Sequence, residues 1–83
     1  MQFITEDTRI YSVDENGKVI AETTYIKNGD TSCINHTFVD PSLRGQGIAD
    51  KLVSMAVEQI EKSGATVTAT CSYAAKWLNK SNS

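Results

Sequence analysis

One loop in the middle of the chain combines two glycines and an arginine immediately before an apolar helical pattern. It lies in the stretch VDPSLRGQGIADKL, residues 39–52. A helix start leaves about four amide groups without intrahelical partners and carries roughly half a positive charge. Glycines at positions 45 and 47 allow a phosphate to approach those amides, and Arg44 adds a permanent charge with a planar donor fork. The loop therefore predicts a phosphate or pyrophosphate site, in preference to a turn that only packs a helix.

Two common phosphate motifs do not fit this loop. The P-loop requires GxxxxGK followed by Ser or Thr, and the sequence contains no such string. The dinucleotide fingerprint requires a third glycine, where Asp50 stands, and a parallel sheet, whereas an antiparallel pattern precedes this loop. A different type of phosphate site is needed.

Three further side chains are of types that transfer protons or attack electrophiles. His36 is the only histidine, the residue type that most often exchanges protons at neutral pH. Cys71 carries a thiol that becomes a nucleophile once deprotonated, and Tyr73 carries a phenol. Each residue also has an ordinary structural role. His36 is then a surface or packed residue, Cys71 a small hydrophobic residue, and Tyr73 an aromatic residue packed beside Trp77. The residues alone leave both roles open.

The first half of the chain is predicted to be an antiparallel meander of three or four strands that leads into the loop. Its strand segments are rich in β-branched and aromatic residues, and each of the two turns between them contains Asn-Gly or a similar pair. The predicted strands are residues 2–13, 19–26 and 31–39. Alternation in the third strand places one set of side chains together on a face: Ile34, His36 and Phe38.

The second half is predicted to be helix, strand, helix. Apolar residues keep helical spacing from Ile48 to Ile60, and Ser63-Gly64 supplies the stop. Residues 65–71 alternate as a strand, and Ser72 is positioned to cap a short helix over residues 73–80. The expected fold class is α/β (α+β): a mixed sheet in which the meander is followed by one β-α-β crossover and a short C-terminal helix.

Composition is that of a single globular domain over residues 1–83. Hydrophobic residues make up 40% of the chain and charged residues 22%, as expected for one small core. No apolar run reaches the roughly 18 residues that cross a bilayer, and the first residues lack the pattern of a secretory signal. We therefore expect a cytoplasmic protein with no membrane partner.

The net charge and the two cysteines further restrict the kinds of molecule or ion that the chain is expected to bind. The net charge of −2 argues against general nucleic-acid binding, which requires clustered basic residues. Residues 1–40 carry three basic and seven acidic side chains, whereas residues 41–83 carry five basic and three acidic ones, so the second half is the better host for an anion. Cys33 and Cys71 lack CxxC spacing and predict two reduced thiols and no metal site.

The sequence around the glycine loop resembles a known superfamily. Residues 44–49, RGQGIA, match the R/Q-x-x-G-x-G/A signature of the GNAT superfamily of acyl-CoA-dependent N-acetyltransferases, after a strand that ends in Val-Asp-Pro. HTFVDPSLRGQGIADKL at 36–52 and CSYAAKWL at 71–78 are similar to its small single-module members. The resemblance spans about residues 8–80 and implies one minimal acetyltransferase domain.

This resemblance implies that the chain binds acetyl-CoA and transfers the acetyl group to an amine of a small molecule or peptide. Backbone groups of Phe38 and Val39 would contact the pantetheine arm. The loop would hold the pyrophosphate through Arg44, Gly45, Gln46, Gly47, Ile48 and Ala49. His36 is then the expected base and Tyr73 the expected acid beside the leaving thiolate. Acetyl transfer is either direct or passes through Cys71.

The chain also departs from the superfamily pattern. Ordinary members are about twice as long and carry helices between their first strands that shape the acceptor pocket, whereas here DENGK forms a tight turn. The acceptor is therefore small and exposed, or is a protein or peptide, or enters a pocket that a second subunit completes in a dimer. The main alternative function is a non-catalytic acyl-CoA-binding or sensing module, and the third is a small protein-interaction domain.

Overall fold

A computed structural model describes residues 2–81 and contains a five-stranded mixed sheet with two helices on one face. The strands lie side by side in chain order, and all neighbours are antiparallel except the last pair. The elements are β1 (Ile4–Glu6), β2 (Arg9–Val13), β3 (Val19–Asn28), β4 (Thr31–Val39), α1 (Ile48–Lys62), β5 (Thr66–Ala69) and α2 (Ser72–Ser81). The predicted α/β fold class is confirmed, and the meander has four strands.

The segment 2–13, predicted as one strand, is a hairpin. A turn at Asp7-Thr8 divides it, and β1 folds back on β2 with Thr5 opposite Ile10. The chain around Asp7 is fixed by long-range bonds, because the Tyr25 hydroxyl donates to the Asp7 carbonyl and the Lys27 ammonium pairs with the Asp7 carboxylate at 2.6 Å. These partners are 18 and 20 residues away, so the local pattern does not contain the signal for this turn.

A β-bulge at Asn35 divides β4 into two parts that follow different alternations. Tyr25 of β3 pairs with Ile34, but the next pair is Thr24 with His36, which leaves Asn35 as the extra residue. The Thr24 hydroxyl donates to Oδ1 of Asn35 at 2.7 Å and secures the bulge. The prediction that Ile34, His36 and Phe38 share a face is therefore wrong: Ile34 is buried in the core, whereas the other two side chains are exposed on the opposite face.

The core lies between the sheet and the apolar stripe of α1. Leu52, Val53 and Ala56 are fully buried against Ile10 and Ile34 of the sheet. The helix begins at Ile48 as predicted and ends at Lys62, since Ser63-Gly64 turns the chain into the next strand. This packing fixes the glycine loop, which is the N-terminal end of α1, against the sheet.

The second helix begins at Ser72, one residue earlier than predicted. The Cys71 carbonyl accepts the first intrahelical bond, from the Ala75 amide at 2.9 Å, so Cys71 rather than Ser72 occupies the cap position. Trp77 on α2 donates from Nε1 to Oδ1 of Asp50 on α1 at 2.6 Å. This bond ties the start of α1 to α2.

The face of the sheet opposite the helices is uncovered over the described residues, and we call it the open face. It presents a mixture of apolar and polar or charged side chains: Ile4, Glu6, Arg9, Tyr11, Val13, Glu22, Ile26, Cys33, His36 and Phe38. Within residues 2–81, neither helix has the length and apolarity required to cross a bilayer.

Candidate functional site

The glycine loop has a backbone conformation that glycine adopts readily. Gly45 and Gly47 have φ values of +84° and +72°, in the left-handed region that side-chain-bearing residues rarely adopt. A Cβ at either position would meet no protein atom within 4 Å, so the space beside both glycines is open. Gly47 is the cap residue of α1 and contributes no side-chain cap. The first amides of the helix therefore face open space instead of a capping side chain.

The chain reaches the loop through a short 3-10 turn that Asp40 and Pro41 organise. The Asp40 carboxylate accepts from the Ser42 amide at 2.9 Å, and this bond lowers the pKa of Asp40. Arg44 leaves the turn in an extended conformation with an exposed side chain. Among the side chains that the structure describes, no carboxylate lies within ion-pair distance of its guanidinium. Arg44 is thus available to an external anion.

A cavity of about 310 Å³ joins this loop to the end of β4 and the start of α2. Its lining contains most of the residues expected to bind a coenzyme, together with two others: Val39, Leu43, Arg44, Gly45, Gly47, Ile48, Ala49 and Tyr73. Leu43 was not singled out from the sequence, because its apolar side chain carried no chemical signal. Gln46 is exposed in the loop and lies outside this lining.

Beside the cavity, the parallel strands β4 and β5 separate. They pair from Thr31–Thr66 to Ile34–Ala69, and the Ile34 carbonyl then accepts from both Thr70 and Cys71 amides, at 3.0 and 3.2 Å. Beyond this point β4 continues to Val39 without β5 as a partner. We call the resulting gap the split, and it opens towards the loop.

The Cys71 thiol lies in the split, between the end of β5 and the unpaired part of β4. Burial raises the pKa of this thiol, but hydrogen bonds from the Ala74 amide, the Thr37 side chain and amide, and the Tyr73 amide outweigh burial and lower it overall. The thiol is therefore held at the start of α2, where the helix dipole also favours an anion. Thr37 is a site residue that the sequence analysis missed, because its role depends on the bulge at Asn35.

The lowered pKa predicts enhanced thiol reactivity at neutral pH. In a Cys33→Ala variant, which leaves Cys71 as the single thiol, alkylation by iodoacetamide should have its pH midpoint below that of the same protein unfolded in urea. The midpoint is lower in the folded protein because its hydrogen bonds favour the thiolate, and these bonds are lost on unfolding. Equal midpoints in the folded and unfolded states would contradict this account of the site.

Tyr73 lies at the other side of the same region. It lines the cavity with the loop, and burial together with the Asp50 carboxylate raises the pKa of its phenol. The phenol therefore keeps its proton at neutral pH, and the raised pKa makes it a weaker acid than an ordinary tyrosine.

His36 and Phe38 lie on the open face and do not line the cavity. His36 Nε2 is 3.6 Å from Oε1 of Glu22, with about half of the histidine side chain exposed. The structure thus groups Tyr73 with the loop and places Cys71 in the split. His36 lies on the opposite face of β4. Within the described residues, no cluster of three His, Cys, Asp or Glu side chains is arranged to hold a metal ion.

The fold and the site together define a class of protein: acetyltransferase domains built around a split parallel strand pair and a glycine-rich helix start. A model of the GCN5-related N-acetyl-transferase family matches residues 9–83. The chain therefore belongs to the GCN5-related N-acetyltransferase family, as the resemblance at the loop predicted.

Solved structures agree with this assignment. A protein from Staphylococcus aureus described as GCN5-like superposes with a TM-score of 0.79 at 29% identity, over 98% of this chain and 80% of that one. A GCN5-related N-acetyltransferase from Sphaerobacter thermophilus (TM-score 0.68, 18% identity) and nourseothricin acetyltransferase (0.59, 20%) share the fold over 76% and 69% of this chain. The matched region is 21% and 35% of those two longer chains. No curated protein sequence matches significantly.

Proposed function

We propose that this protein binds acetyl-CoA on the Arg44–Ala49 loop and transfers the acetyl group to an amine, with Cys71 as an intermediate acetyl carrier. The observation that carries the proposal is the position of the Cys71 thiol, in the split and at a helix start, beside the cavity that the loop lines. The coenzyme would supply an activated thioester. Family membership supports the transferase activity.

In this scheme the loop binds the coenzyme. The uncapped amides at the start of α1 and the guanidinium of Arg44 would hold the pyrophosphate, and the left-handed glycines leave room for it. The unpaired backbone of β4, from Phe38 to Val39, would bond the pantetheine arm and direct the thioester into the split. The support for this assignment is the cavity, which runs from Val39 to the loop.

The chemistry would then take two steps. The Cys71 thiolate attacks the acetyl carbonyl carbon, a new sulfur–carbon bond forms, and the thiolate of the coenzyme leaves with a proton from the Tyr73 phenol. The Thr37 amide next to the thiol is positioned to stabilise the developing oxyanion. An amine then attacks acetyl-Cys71, the thiolate returns to Cys71, and His36 accepts the proton that the amine loses.

The test combines binding and transfer on the unmodified protein. Acetyl-CoA at 100 times its dissociation constant should stabilise the fold by about 2.7 kcal/mol, measured as a thermal shift. One equivalent of coenzyme thiol should be released before any acceptor is present, and continuous release should follow the addition of alkylamines, polyamines or lysine peptides. Stabilisation without thiol release in the presence of any of these acceptors would favour the binding or sensing module instead. If neither stabilisation nor thiol release is observed, the proposal is rejected.

A further inference from the structure

The open face carries a connected group of polar side chains, of which the proposed steps use only His36. Nε of Arg9 donates to Oε2 of Glu22, whose other oxygen lies 3.6 Å from Nε2 of His36. The Arg9 guanidinium lies 3.8 Å above the Tyr11 ring, which limits its movement. The Glu22 carboxylate is thus held on one side by Arg9 and faces His36 on the other. Its side chain is 21% exposed, against 32% for Arg9 and 51% for His36.

The bulge at Asn35 creates this arrangement. Without an extra residue, alternation would continue from Ile34 and place His36 on the core face, under α1. With it, His36 lies opposite Thr24 and diagonal to Glu22 on the open face. An isolated ion pair on an exposed sheet contributes at most about 1 kcal/mol, so the approach of His36 to Glu22 adds little to stability.

His36 is next in the chain to Thr37, whose amide and side chain lower the pKa of the Cys71 thiol, and the two side chains lie on opposite faces of β4. The pairing of β4 with β5 ends at Ile34, so no strand covers the split at this level. His36 is thus an exposed residue of β4 beyond the end of this pairing, on the face of the sheet that the helices leave uncovered.

We propose that the Arg9–Glu22 pair positions His36 to deprotonate an alkylammonium acceptor that approaches from the open face. The inference rests on the proposed function and adds the side of approach and two positioning residues. His36 accepts one ammonium proton at Nδ1, because its Nε2 faces Glu22. The freed nitrogen lone pair attacks the carbonyl carbon of acetyl-Cys71, the sulfur–carbon bond breaks, and the second nitrogen proton passes to the departing Cys71 sulfur. Glu22 acts through His36, because its carboxylate stabilises the imidazolium that results.

The experiment measures transfer from acetyl-CoA to an alkylamine and to an arylamine, which is already unprotonated at neutral pH. Glu22→Gln should lower the alkylamine rate about tenfold and His36→Gln roughly 10²-fold, with much smaller losses for the arylamine. The double variant should be no slower than His36→Gln, because Glu22 acts only through His36. Acetyl-CoA affinity and acetylation of Cys71, read by intact mass, should not change.

Glu6→Gln is the matched control, since it removes another open-face carboxylate, 3.6 Å from Arg9, and should leave both rates at the wild-type value. Equal alkylamine rates in wild type and Glu22→Gln would overturn the inference while leaving the proposed function intact. Equal losses for both amines would also overturn it, because they indicate a structural effect. If the wild-type protein transfers to neither amine, the proposed function fails and this inference fails with it.

Discussion

Cys71→Ser should reduce acetyl transfer to an amine by roughly 10³-fold or more, because it removes the atom that would carry the acetyl group. Serine is the informative replacement, since its hydroxyl caps a helix well and so preserves the start of α2. Acetyl-CoA affinity should change little, because the loop residues are untouched. The rate is measured as thiol release, and intact mass should show an acetyl adduct on wild type and none on the variant.

Cys33→Ala is the matched control for this experiment. Its thiol lies on the open face, with Sγ 3.7 Å from the Thr70 hydroxyl, and has no place in the proposed steps. The control should transfer at the wild-type rate and still form the adduct. A Cys71→Ser protein with wild-type activity would show that the amine attacks the thioester directly.

Arg44→Ala should weaken acetyl-CoA binding by roughly 10- to 100-fold, since a hydrogen bond to a charged group contributes about 1.5–3 kcal/mol. The side chain is exposed and has no ion-pair partner among the described side chains, so the fold should lose little stability. Isothermal titration measures the affinity, and thermal unfolding without ligand checks the fold.

The control for the loop is Lys51→Ala, which removes one positive charge from the first turn of the same helix. The Lys51 ammonium lies 5.6 Å from the Phe3 ring centroid, and this residue does not line the cavity. Its loss should change the affinity far less than the loss of Arg44. Equal effects of the two variants would mean that only the overall charge of the helix start matters, and that Arg44 makes no direct contact with the coenzyme.

Features determined by local chemistry were predictable from the sequence. The helix from Ile48 follows from apolar spacing, and the left-handed loop follows from Gly45 and Gly47, the residue type that adopts this conformation most readily. The parallel partner of β4 followed from the order strand, helix, strand. These local signals were sufficient to predict the fold class and the position of the loop.

Features determined by long-range contacts were not predictable. The turn at Asp7 depends on bonds to β3, and the bulge at Asn35 depends on which β3 residues pair with β4. A one-residue slip moves every later side chain to the other face, so the error at Asn35 hid both the contact of Thr37 with Cys71 and that of Glu22 with His36. The position of the candidate chemistry relative to the sheet therefore required the structure.

The proposed function requires acetyl-CoA to bind the loop with its thioester in the split. A titration of the ¹⁵N-labelled protein with acetyl-CoA, followed by amide NMR shifts, separates this placement from binding elsewhere on the domain. We expect the largest shifts at Gly45 to Ala49 and at Thr37 and Cys71, with small shifts in β1 and β2. An absence of shifts at saturating coenzyme, or shifts confined to residues outside the loop and the split, would contradict the account.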